Sequence, residues 1–108
     1  VALPSGTGDA AYLAALRAGM ATAFARARPE FVFFLSGADP FAGDRLGKLA
    51  ISKDGLRTRD RLVFDELQQR RLPWVTVMGG GYGKNVDDTV DVYEATVAAA
   101  VAAAAPAR

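Results

Sequence analysis

The chain has 108 residues, which suits one compact domain, and its 51% apolar and 23% charged content is ordinary for a globular protein. Lys and Arg total 13 against 12 Asp and Glu, and a net charge of +1 gives no case for nucleic acid or an anionic membrane as partner. Neither Cys nor His occurs, which excludes disulfides, thiolate sites, a Ser-His-Asp triad, His-ligated zinc and His acid–base catalysis within these residues. A complete hydrolase of the common kinds is therefore not expected; unusual chemistry, a binding module, or one part of a larger protein remain.

Residues 1–8 read as an extended lead-in ending in a Gly-rich turn. Asp9 is expected to cap a first helix, on which Leu13, Leu16, Met20, Phe24 and Ala27 recur at helical spacing, and Pro29 closes it. The run Phe31-Val32-Phe33-Phe34-Leu35 is too short for a helix and reads as a strand buried on both faces, the mark of a parallel sheet covered by helices. Ser36 to Ser52 has no clear period and carries Gly37, Pro40, Gly43 and Gly47. Its composition suggests an ordered, turning loop, and connections of this length are usually functional or disordered. Ser52 is the expected cap of a second helix, with Leu56, Val63, Phe64 and Leu67 inward and the Arg and Gln residues outward. Trp74 to Met78 reads as the second buried strand, with Trp74 at a helix–sheet contact, and Gly79-Gly80-Gly81-Tyr82-Gly83 follows at once. A last helix is expected from about Asn85 to Ala104, with Val86, Val90, Tyr93, Val97 and Val101 facing the core.

Alternation of helices and strands in this order means an α/β layer fold with a parallel sheet. The weakly polar run Ala95–Ala107 is mostly Ala and too short to cross a bilayer, and the first residues lack a basic segment followed by an apolar one. A cytoplasmic, bacterial-type protein is the expectation.

In open α/β sheets, ligands bind beyond the carboxyl ends of the strands. Ser36-Gly37-Ala38-Asp39-Pro40 and the Gly79–Gly83 run occupy those ends. If the strands are neighbours, Asp39 and Tyr82 share one mouth, a pairing that suits metal-assisted hydrolysis. The carboxylate can ligate a cation, and the phenol can donate to a carbonyl oxygen that becomes an oxyanion. Plainer readings stay open: Ala38-Asp39-Pro40 is also an ordinary turn, and Tyr82 can fold back on the sheet. Asp44 and Arg45 read as a loop-fixing ion pair or as solvent-facing charges. The Gly loop fails both phosphate patterns. Aligned on Gly83-Lys84, a P-loop needs Gly where Met78 stands and Ser or Thr where Asn85 stands. The dinucleotide pattern begun at Gly79 needs Gly where Lys84 stands. A loose anion site at the following helix N-terminus is left open.

Several stretches, taken together and in order, resemble the C-terminal part of the zinc-dependent histone deacetylase superfamily. They are Leu3-Pro4-Ser5-Gly6-Thr7-Gly8-Asp9 with Tyr12-Leu13, the run from Ser36 to Ser52, Arg59-Asp60 with Val63-Phe64, and Met78-Gly79-Gly80-Gly81-Tyr82. The resemblance is closest to the class IV branch and related bacterial deacetylase-like proteins. It implies the C-terminal portion of a three-layer α/β/α, arginase/deacetylase-type fold, with residues 1–108 as part of a single domain whose upstream part is absent. It also implies roles. Asp39 matches the aspartate zinc ligand, and Tyr82 the catalytic tyrosine that polarises the amide carbonyl. Leu46, Gly80 and Gly81 match residues bordering the tunnel for the acyl chain, and Asp44 and Arg45 belong to a loop-supporting stretch. The family's tandem histidines and its Asp-x-His pair of zinc ligands have no counterpart here. The expected function is thus that of the C-terminal segment of a zinc-dependent amidohydrolase acting on acylated lysine or amine substrates. On its own, the chain is expected to be inactive, to bind no zinc tightly and to self-associate, by dimerising, exchanging elements or pairing through its sheet edge. The alternatives are a non-enzymatic interaction module on the same fold, or an anion-binding α/β domain using the Gly79–Gly83 loop.

Overall fold

A computed structural model describes residues 1–104; residues 105–108, the end of the Ala-rich run, lie outside the described part. The element order is α1 (Asp9–Ala27), β1 (Val32–Gly37), α2 (Lys53–Gln69), β2 (Trp74–Gly79) and α3 (Val86–Ala104). The strands pair in parallel, with Val32 opposite Trp74 and Gly37 opposite Gly79. This register brings both carboxyl ends out side by side, and Ala38 N–H extends the ladder to the Gly79 carbonyl at 3.3 Å. The fold class is the expected one: α/β with a parallel sheet.

The first helix starts differently from the expectation. Gly8 occupies the N-cap with no side-chain cap bond, and Asp9 is the first helical residue. Its carboxylate is used on the neighbouring helix, where it accepts from Ser52 N–H at 2.8 Å and from the Ser52 hydroxyl. Ser52 caps α2 as expected, its Oγ accepting from Gly55 N–H at 2.9 Å. One acidic residue therefore ties the start of α1 to the start of α2. A second tie joins α2 to α3, where Lys53 Nζ bridges Asp88 at 2.7 Å and Asp91 at 2.9 Å.

Alternate residues of each strand face α2, as the two-residue period of a strand requires. Phe34 packs edge-on to Phe64 with ring centroids 5.5 Å apart, and Trp74 lies 5.7 Å from the same ring, the helix–sheet contact expected of it. Val63, Phe64 and Leu67 are buried there, flanked by Leu16, Met20 and Phe24 of α1 and by Ala99, Ala100 and Ala103 of α3. All three helices thus cover one face of the sheet. The opposite face is bare: Phe33 is 74% and Leu35 64% exposed, and Val75 and Val77 join them. The expectation that β1 is buried on both faces, and that β2 is a buried strand, is therefore not met, because no element among the described residues lies over this side.

The α3 stripe is also corrected. Val86, Val90, Val97 and Val101 are exposed, Tyr93 is half-buried, and the buried residues are Val92 and Thr96. Small side chains let α3 approach α2 closely, so Val92, Thr96 and the Ala residues form the contact while Val86, Val90, Val97 and Val101 point away. Arg59 departs from the expected wet face of α2. It is buried beside Asp60, which accepts from Arg59 Nε at 2.9 Å and from Thr96 Oγ1 at 2.5 Å. No helix among the described residues is long and apolar enough to cross a membrane.

Candidate active site

The site is assembled from two loops, one after each strand. The first, Ala38 to Ser52, is ordered by its own backbone. Phe41 bridges Ile51 in parallel, Ala42 N–H donates to the Ile51 carbonyl at 2.9 Å, and Asp44 N–H to the Phe41 carbonyl at 3.0 Å. The lead-in segment pins its far side: Gly6 N–H donates to Lys48 O at 2.7 Å, and Ala50 N–H to Thr7 O at 2.9 Å. The expected ordered loop is present, and residues 1–8 help to hold it.

The second loop begins where β2 ends. Gly80 and Gly81 have φ of +70° and +103°, a region that side chains with a Cβ rarely enter, and they turn the chain sharply across the strand ends. A Cβ at Gly80 would lie 2.9 Å from Asp39 Oδ1, so the absent side chain is what lets the Asp39 carboxylate rest against this loop. A Cβ at Gly81 would press on Thr89 and Tyr93 of α3. The Tyr93 hydroxyl, within reach of Gly79 O at 2.8 Å and Gly80 O at 2.9 Å, fastens the same turn from the helix side.

The two loops are then joined to each other. Residues 43–45 run antiparallel to residues 82–84: Asp44 bridges Gly83, Arg45 N–H donates to Tyr82 O at 2.9 Å, and Lys84 N–H to Gly43 O at 3.1 Å. The Asp44 side chain completes the joint, with Oδ1 accepting from Tyr82 N–H at 2.6 Å. Its Oδ2 accepts from Leu46 N–H at 3.0 Å and Gly47 N–H at 2.6 Å. Burial would raise the pKa of this carboxyl. The N–H groups of Gly47, Tyr82 and Leu46, with the Arg45 charge nearby, more than offset that and hold it below its ordinary value. The expected ion pair with Arg45 is not formed among the described residues, and Asp44 is buried instead of solvent-facing.

All five residues singled out in the sequence sit at this end of the sheet. Asp39 is exposed beside Gly80, Tyr82 is 54% exposed on a fixed backbone, Leu46 is 69% exposed, and Gly80 and Gly81 form the turn between them. Asp44, Tyr93 and Arg59 were read as a surface charge or ion pair, as core and as a wet face. The structure gives each a supporting place, with Arg59 Nη1 donating to the Gly37 carbonyl at 2.5 Å, two residues before Asp39. The one legible signal is at Asp44, because an Asp can accept from the backbone N–H groups two and three residues on, here Leu46 and Gly47. No group of three or more His, Cys, Asp or Glu that could hold a metal occurs among the described residues. At this mouth, Asp39 is the exposed carboxylate.

Comparison with known proteins agrees with this geometry. Residues 1–100 match the family model of the histone deacetylase domain. An uncharacterized protein of Picosynechococcus sp. is 41% identical over 82% of this chain, and histone deacetylase 2 of Arabidopsis thaliana is 38% identical over 79% of it. The chain spans 29% and 22% of the lengths of these relatives. The crystal structure of acetylpolyamine aminohydrolase from Burkholderia pseudomallei superposes with a TM-score of 0.76 and 21% identity, over 92% of this chain and 27% of that one. The chain thus has the α/β fold of a deacetylase-type hydrolase, and it belongs to the histone deacetylase domain family.

Proposed function

We propose that residues 1–108 are the C-terminal part of a single deacetylase-like domain, in a zinc-dependent amidohydrolase that removes acyl groups from lysine or amine substrates. The observation that carries this reading is the common mouth of the paired strands. There Asp39 leans on Gly80 while Tyr82 presents an exposed ring on a backbone held at both its N–H and its carbonyl. Asp39 would supply one carboxylate ligand to zinc, and bound zinc would act as a Lewis acid on the amide carbonyl. The Tyr82 phenol would donate a hydrogen bond to the same carbonyl oxygen as negative charge develops there. Leu46, Gly80 and Gly81 would border the channel for the acyl-bearing chain: an exposed apolar side chain beside two positions with none. The names of the relatives, a histone deacetylase and an acetylpolyamine aminohydrolase, favour acyl-lysine and acylated amines as substrate classes.

Alone, the chain brings one exposed carboxylate, Asp39, to this mouth and has no His or Cys, so it would neither hold zinc tightly nor turn over substrate. The anion-binding alternative is disfavoured by the start of α3. Asp87 and Asp88 occupy its first turn, and the Asn85 side chain already accepts from Asp87 N–H at 2.9 Å. A bacterial, cytoplasmic setting without nucleic-acid or membrane partners completes the proposal.

The test is Asp39→Asn in the protein that carries this chain, followed by elemental analysis and an acetyl-lysine peptide assay. A neutral amide is the poorer ligand, so zinc content and turnover should both fall. Full zinc occupancy in the variant would contradict ligation by Asp39.

A further inference from the structure

We propose that Asp44 is a positioning residue for Tyr82, a side chain that holds both the tyrosine and the channel residue Leu46 by their backbone N–H groups. The proposal rests on the reading of Tyr82 given above and adds a residue to it. Asp44 is 7% exposed, and its two oxygens are divided between two loops that follow different strands. Oδ1 holds Tyr82 N–H at 2.6 Å; Oδ2 holds Leu46 N–H at 3.0 Å and Gly47 N–H at 2.6 Å. Bonds from backbone N–H to an ionised carboxylate are short and roughly twice as strong as neutral ones. The Tyr82 ring has no comparable restraint, being 54% exposed, so its aim is inherited from its backbone.

Only a carboxylate serves all three donors. An Asn of the same shape has one acceptor oxygen, and its NH2 group would face an N–H. Either Tyr82 or the Leu46–Gly47 pair would lose its acceptor. The joint between the loops has other supports, namely Arg45 N–H to Tyr82 O, Lys84 N–H to Gly43 O and the Phe41–Ile51 bridge. Removing the carboxylate charge therefore shifts the tyrosine without dismantling the loop.

The experiment is a double-mutant cycle in the protein that carries this chain, with kcat and KM measured on an acetyl-lysine peptide. Asp44→Asn should lower kcat by about 10- to 100-fold, the scale of loss from a small misplacement of a reacting group, with KM little changed. In a Tyr82→Phe background the same change should cost less than about twofold, because a residue that acts through the phenol has nothing left to act on. Equal losses in the two backgrounds would overturn the proposal. If Tyr82→Phe itself retains wild-type turnover, the catalytic reading of Tyr82 falls on separate grounds. In that case, or if Asp44→Asn does not fold, the wild-type protein decides by NMR. A scalar coupling between the Tyr82 amide nitrogen and the Asp44 Cγ carbon, transmitted across the hydrogen bond, supports the clamp. Absence of that coupling overturns it.

Discussion

The contact between Gly80 and Asp39 illustrates how single residues shape this mouth. Gly80 has φ of +70°, and its missing Cβ leaves the space in which the Asp39 carboxylate sits. Gly80→Ala should cost about 1–2 kcal/mol in backbone strain and push Asp39 aside. In the protein that carries this chain, a lowered melting temperature together with a lowered zinc content is expected; wild-type values of both would contradict the contact. Asp44 makes a pH-dependent contribution whose sign follows from its depressed pKa. A carboxyl held lower when folded than when unfolded stabilises the fold above the unfolded pKa, about 3.9, and that stability is lost as the pH falls through the folded value. Thermal melts of wild type and Asp44→Asn should therefore differ most above pH about 4 and converge below it. A gap that stays constant through that range would count against the clamp.

Among the elements, α2 carries the most structural weight, and its buried charges show it. Arg59 and Asp60 are 3% and 1% exposed, their charged groups 2.9 Å apart. They connect the Gly37 carbonyl at the end of β1 to Thr96 on α3. Removing one member leaves a buried charge without its partner, so Asp60→Ala should destabilise the fold by about 3–5 kcal/mol. The double replacement Arg59→Met with Asp60→Leu should cost much less than the sum of the single changes. Denaturant unfolding measures both, and additive losses would show that the two groups do not act as a pair. These elements were legible in the sequence to different degrees. The strands stood out as short apolar runs, the start of α2 as Ser52, and the mouth as unusual residues at both strand ends. The inward side of α3 was not legible: the Val stripe has the right period for a core, whereas the real contact is made by Val92, Thr96 and small Ala residues. Asp44 was legible only as part of a loop-supporting stretch, and the bonds of Arg59 and Tyr93 not at all, because their partners are backbone groups or buried polar atoms, and such bonds impose no periodicity.

At the largest scale, one face of the two-stranded sheet is packed and, among the described residues, the other is bare. Phe33, Leu35, Val75 and Val77 form an exposed apolar surface, and each strand has one edge unpaired among the described residues. The isolated chain should self-associate in a concentration-dependent way, and Phe33→Lys with Leu35→Lys should reduce this. Light scattering that finds a monomer at high concentration would refute the expectation. The site has the same one-sided character: one carboxylate and one phenol at a mouth, in a chain that spans less than a third of its relatives. The most direct test of this account is the turnover of an acetyl-lysine peptide by Tyr82→Phe, compared with wild type, in the protein that carries this chain and with zinc measured in both. The account predicts a loss of roughly 10²–10³ in kcat, the scale of one oxyanion donor, with zinc content unchanged. Wild-type turnover in the Phe variant would contradict it.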